Sequence, residues 1–309
     1  MRTPGSAGPA TLSFEVLYES LVGPFAEFGF MRRALLGCVA ISLSATPVGV
    51  FLMLRRMSLT GDAMAHAILP GAAVGFMVSG LSLGAMTIGG LIAGTVVAVF
   101  SGAVSRVTAL REDTSLAAFY LISLALGVML ISVHGSNVDL MHVLFGTVLA
   151  LGNDVLLLLC VIVTLTLLLL AALLRPLVLE CADPAFLRSV SRLSAPTHFA
   201  FLILVVVNLV GGFQALGTLM SVGIMILPAA AARFWCDTVG GLLVAAMVAA
   251  LCSSVIGLLV SYHLGLPSSP AIILVAGSIY VLSMLFGPVG SLAARCLSRT
   301  QPLLRRAVS

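Results

Sequence analysis

The stretch Arg55-Arg56-Met57-Ser58-Leu59-Thr60-Gly61-Asp62-Ala63-Met64-Ala65-His66-Ala67-Ile68-Leu69-Pro70-Gly71 decides how this chain is read. It sets a carboxylate and an imidazole four residues apart at the head of an apolar segment. Residues 67–105 then pass without one charged side chain. About 20 apolar residues cross the hydrocarbon core of a bilayer as a helix, so this run is long enough for two crossings. An ionisable pair beside such a run is costly, and by default it marks a transport path or a binding site.

Composition carries the same reading outward. Of 309 residues, 61% are hydrophobic and 8% charged, where a soluble domain carries about 25% charged residues. So few polar side chains cannot cover a water-facing surface, and membrane lipid is the expected partner of most of the exterior. All fifteen basic residues are arginine. A phosphate-binding P-loop needs its lysine, so nucleotide hydrolysis of that type falls to another polypeptide and the chain reads as a non-enzyme. The six cysteines (Cys38, Cys160, Cys181, Cys236, Cys252, Cys296) are scattered with no CxxC pair, and read as small apolar packers. HExxH and SxxK elements are absent, which leaves intramembrane hydrolysis of those types without support. No basic region joins directly to an apolar core at the start, so no cleavable signal is expected. Nothing points to nucleic acid or to a permanently bound cofactor.

The predicted fold class is all-α and polytopic, with spans at 34–54, 61–80, 83–105, 115–133, 155–174, 198–213, 216–234, 239–262 and 268–286. That makes nine helices, or eight if closely joined neighbours are broken halves of one. Residues 1–31 are expected to be a disordered and amphipathic N-terminal segment, 32–290 the transmembrane domain, and 291–309 a cytoplasmic tail. Arg55 and Arg56 follow span one, Arg106 and Arg111 span three, and Arg175, Arg188 and Arg192 span five. Arg233 ends span seven, and Arg295 to Arg306 follow span nine. Simple alternation puts all of these on one side, the cytoplasmic one; Arg32-Arg33 is the exception. Arg55-Arg56 reads as a cytoplasmic anchor, and His198 as a solvated residue at a helix start.

Asp62 and His66, spaced i, i+4, share one helix face. Carboxylate with imidazole suits Zn(II), Mn(II) or Fe(II). The competing reading makes Asp62 complement the helix dipole behind a Thr60 cap, with His66 bonded to a neighbouring helix. Two residues are an incomplete metal site, and a two-fold dimer would double them. On the arginine-free side, His134, Asp139 and His142 form either a vestibule that receives the ion or an ordinary polar loop. On the arginine side, Asp183 can cap and Pro184 can start a short helix. With Phe186, Leu187 and Arg188 that helix is either a docking knob or a connector. Pro70, Gly71 and Pro228 are places where a helix gates or simply packs.

At these residues the chain resembles the permease subunits of the ABC importers for zinc, manganese and chelated iron, a fold related to the vitamin B12 and siderophore permeases. The resemblance covers about residues 28–290. It rests on Phe30-Met31-Arg32-Arg33-Ala34-Leu35, on the Leu54 to Gly71 stretch, on Glu112-Asp113, on Leu144-Phe145-Gly146, and on Gly217-Thr218-Leu219 with Ile226-Leu227-Pro228-Ala229-Ala230 and Ala232-Arg233. It implies a bacterial inner-membrane, multi-pass subunit that pairs with a second copy. It also implies cytoplasmic ABC ATPase subunits and an exterior metal-binding protein. The transported divalent metal ion would be held by Asp62 and His66, and residues 183–191 would be the ATPase coupling helix. Ala185 and Ser191 depart from the acidic residue and glycine usual there. Three rivals remain. A siderophore or vitamin B12 permease would tolerate Asp62→Ala, and a gradient-driven transporter would work alone. A metalloenzyme would need a third ligand.

Overall fold

The computed structural model describes residues 22–80, 82–108, 111–134, 151–183, 187, 194–289 and 291. All the regular structure among them is helical: α1 Gly23–Glu27, α2 Gly29–Leu54, α3 Thr60–Ser79, α4 Leu83–Val107, α5 Glu112–His134, α6 Asn153–Ala182, α7 Ser194–Leu216, α8 Thr218–Ala232, α9 Val239–Leu264 and α10 Ser268–Phe286. Eight of these are long and apolar enough to cross a membrane; α8, at 15 residues, is the short apolar exception. With no water in a bilayer core to satisfy the backbone, closed helical hydrogen bonding is what such sequence must adopt.

α1 opens at Gly23-Pro24, where proline suits the first helical turn. One boundary differs from the sequence reading. The fifth span does not stop before Arg175; α6 continues through Arg175, Pro176 and Glu180 to Ala182. Hydropathy falls at the membrane edge, yet the backbone there still prefers its helical partners.

α2 and α7 form the centre, with most of each span buried, while α4, α5, α6 and α9 are largely peripheral. Peripheral helices turn apolar stripes outward, such as Leu157, Val161, Leu165 and Leu168 on α6 and Ile88 and Ile92 on α4. This is the surface that lipid would meet. Between helices the contacts use small and polar residues, as packing in lipid requires. A side chain at Gly71 would run into the carbonyl of Gly89, and one at Gly89 into Gly71, so α3 and α4 pack backbone to backbone. Ser42 and Ser254 hydroxyls meet at 3.3 Å, and Asn208 donates to Thr166 Oγ1 at 2.9 Å.

The helix ends alternate. Arg106 donates to the Ser194 carbonyl at 3.2 Å, and Val289 N–H to Phe234 O at 2.9 Å. These bonds gather the ends of α4, α8 and α10 and the start of α7 at one end of the bundle. At the other end, Ser269 donates to Leu216 O at 3.0 Å. The arginines that follow α2, α4 and α8 therefore share one end, as the alternation of spans requires.

Candidate functional site

α2 ends in a hydrogen-bonded reversal. Arg56 N–H reaches Met53 O at 3.0 Å and Met57 N–H reaches Leu52 O at 2.9 Å, around Arg56 at φ 59°. This pair of bonds is the Schellman arrangement, usually built on glycine. A turn from Met57 O to Thr60 N–H (3.0 Å) then starts α3. Thr60 is fully buried, and Gly61 lies where a side chain would strike Met225 of α8. The first turn of α3 is thus seated on α8.

This seating turns Asp62 and His66 to a common face. His66 Nε2 lies 3.8 Å from Asp62 Oδ1, with the side chains 36% and 65% exposed. The imidazole ring faces Tyr120 of α5 at 6.4 Å between centroids, and its Nδ1 is buried without a hydrogen-bond partner. Among the described residues no three His, Cys, Asp or Glu side chains converge as a metal site. One chain therefore offers this pair of donors and an open face beyond them.

The other sequence-derived residues fall differently. Asp183 closes α6, its carbonyl accepting from Leu187 N–H at 3.2 Å, and Leu187 is buried. Pro184, Phe186 and Arg188 lie outside the described residues, as do Asp139 and His142. His134 is the last residue of α5. Pro70 and Gly71 sit in continuous helix, Pro70 against Gly127 of α5 and Gly71 against Gly89.

The larger correction is at the arginine end. His198 is not solvated: its side chain is 4% exposed. Arg55 is not a surface anchor either, at 9%; only Arg56 projects outward. Arg55 Nη2 lies 3.3 Å from Glu180 Oε1 and 2.6 Å from His198 Nδ1. A guanidinium only donates, so Nδ1 accepts and the neutral ring carries its proton on Nε2. That atom lies 3.0 Å from Glu112 Oε1, close but without hydrogen-bond alignment. Arg106 Nη2 approaches Glu180 Oε1 at 3.8 Å. The Arg55 guanidinium also stacks over Phe201, 5.0 Å from the ring centroid. Two guanidiniums, two carboxylates and a neutral imidazole from five helix ends thus balance their charge around a cavity of about 350 Å³. The sequence contained a signal for this: the alternation that puts Arg55 and Arg106 on one side puts Glu112, Glu180 and His198 there too.

Comparison with known proteins matches this architecture. The family profile described as the ABC 3 transport family matches residues 27–287. The manganese import system permease protein ScaB of Streptococcus parasanguinis is 30% identical over 262 residues, 85% of this chain and 92% of that protein. The chelated iron transport system membrane protein YfeD of Yersinia pestis is 27% identical over 274 residues, 89% of this chain and 91% of that protein. Among solved structures, PsaBC from Streptococcus pneumoniae in complex with Fab superposes with a TM-score of 0.76 at 28% identity, covering 87% of this chain and 95% of that one.

Proposed function

The chain belongs to the ABC 3 transport family, and from that premise we propose that it is one half of a paired permease for a divalent transition-metal ion. Manganese is the first candidate, since ScaB is named as a manganese import permease; iron follows from YfeD, and zinc from ligand chemistry alone. The observation that carries the reading is the Asp62–His66 pair. It has two donors of the right kind on one face at the head of α3, largely open in one copy. A second copy facing it across a two-fold axis supplies two more donors, enough for a four-coordinate ion. A site of so few ligands holds the ion weakly enough to release it.

In this reading the ATPase is a separate cytoplasmic chain that docks near Asp183, Pro184, Phe186, Leu187 and Arg188. An exterior binding protein delivers the ion past His134, Asp139 and His142. The membrane is the bacterial inner membrane. The test is uptake of Mn(II), Fe(II) and Zn(II) by cells expressing the whole transport operon, with Asp62→Ala and His66→Ala at matched membrane abundance. Loss of uptake in both variants supports the site. Wild-type uptake in both refutes it.

A further inference from the structure

We propose that Arg55, clamped by Glu180 and His198, is a positioning residue for the Asp62–His66 pair; this rests on the reading of that pair as the ion's ligands. The connection is short and continuous. Arg55 N–H bonds Phe51 O at 3.0 Å, Arg56 and Met57 close the reversal, Met57 O holds Thr60 N–H, and Leu59 O holds Ala63 N–H at 3.0 Å. No unbonded turn separates the guanidinium from Asp62. Beyond this junction α2 and α3 barely touch, while α3 packs along α4 and α5, so α2 acts on α3 only through the junction. Whatever fixes Arg55 therefore bears directly on the first turn of α3, together with the seat of that turn on α8.

Four groups fix it: Glu180 of α6, His198 and Phe201 of α7, and Arg106 of α4 through the shared Glu180 carboxylate. One feature exceeds what stability alone needs. Arg56 sits at φ 59°, a conformation that favours glycine, and non-glycine residues held there tend to mark functional constraint.

The test uses the full-length chain purified as its dimer, the form that brings both Asp62–His66 pairs together, and the visible absorption of added Co(II), which reports both the affinity and the geometry of an imidazole–carboxylate site. Asp62→Ala is the reference for loss of the site. Arg55→Gln and Glu180→Gln are expected to weaken Co(II) binding about tenfold, the ordinary size of a coupling between sites. They should alter the spectrum while the protein stays folded by circular dichroism. Arg55→Lys, which keeps the charge, should restore most of the binding. The double variant should be no worse than either single one, because the two residues act as a unit. If Glu180→Gln does not fold, Glu180→Asp gives the same reading, since it keeps the charge but withdraws the carboxylate. Wild-type binding and spectrum in the Arg55 and Glu180 variants, with Asp62→Ala inactive, overturn the positioning role alone. Wild-type binding in Asp62→Ala, or none in the unaltered chain, overturns the ligand assignment and the positioning role with it.

Discussion

Thr46 of α2 donates its hydroxyl to the carbonyl oxygen of Ile224 in α8, at 3.2 Å. That oxygen lies four residues before Pro228, whose missing N–H leaves it without its helical donor. A proline inside a buried helix is thus made good by a neighbouring helix, the standard remedy where water is absent. Thr46→Val keeps shape and removes the donor. It is expected to lower stability by about 1 kcal/mol, with Thr46→Ser close to wild type, as read by thermal unfolding in detergent. Equal unfolding temperatures for Thr46→Val and wild type would show that Ile224 O is satisfied otherwise.

Gly71 and Gly89 make a second test of interhelix geometry. A methyl group at Gly71 meets the Gly89 backbone, which cannot yield as a flexible side chain would. Gly71→Ala should therefore cost about 1–3 kcal/mol, while Gly84→Ala, at a helical position open on all sides, should raise stability by up to about 0.5–1 kcal/mol. Comparing the two variants separates steric exclusion from the general effect of removing a glycine.

Arg56 carries the one positive φ among the described non-glycine residues. Left-handed backbone costs an ordinary residue about 1–2 kcal/mol, so Arg56→Gly should stabilise the fold by about 0.5–1 kcal/mol after glycine's greater unfolded-state entropy is subtracted. Arg56→Val should destabilise it. Denaturant unfolding of the two variants against wild type gives the order directly; the reverse order would mean that the Arg56 side chain makes contacts worth more than the strain.

Much of this architecture was legible. Helix number and approximate bounds follow from hydropathy because lipid admits few alternatives to helix, and the Asp62–His66 pair follows from i, i+4 spacing because both residues lie on one element. The charge cluster was not legible in the same way. Arg55 and Glu180 are 125 residues apart and Arg55 and His198 are 143 apart, so only tertiary packing brings them together. Each member alone looks like an ordinary polar residue at a membrane edge. The length of α6 was missed for a related reason: Arg175 and Pro176 read as a stop, but proline in the last turns of a helix at the interface loses only one backbone bond, and arginine reaches water from there.

His198 distinguishes the two readings of that end of the molecule most sharply. A solvated residue at a helix start can be replaced within about 0.5 kcal/mol. A buried imidazole that accepts from Arg55 and faces Glu112 cannot, because its removal leaves a guanidinium short of an acceptor and a carboxylate without its neighbour. Breaking one member out of a buried ionic group costs about 3–5 kcal/mol, and His198→Ala should approach that range in denaturant unfolding. His198→Gln should lose less, since its amide oxygen can accept from Arg55 and its NH₂ can face Glu112. His198→Phe fills the volume but offers neither group, and should resemble alanine rather than glutamine. If phenylalanine instead matches wild type, the site values packing over hydrogen bonding, and the cluster would then be held by Arg55, Arg106 and Glu180 without the ring.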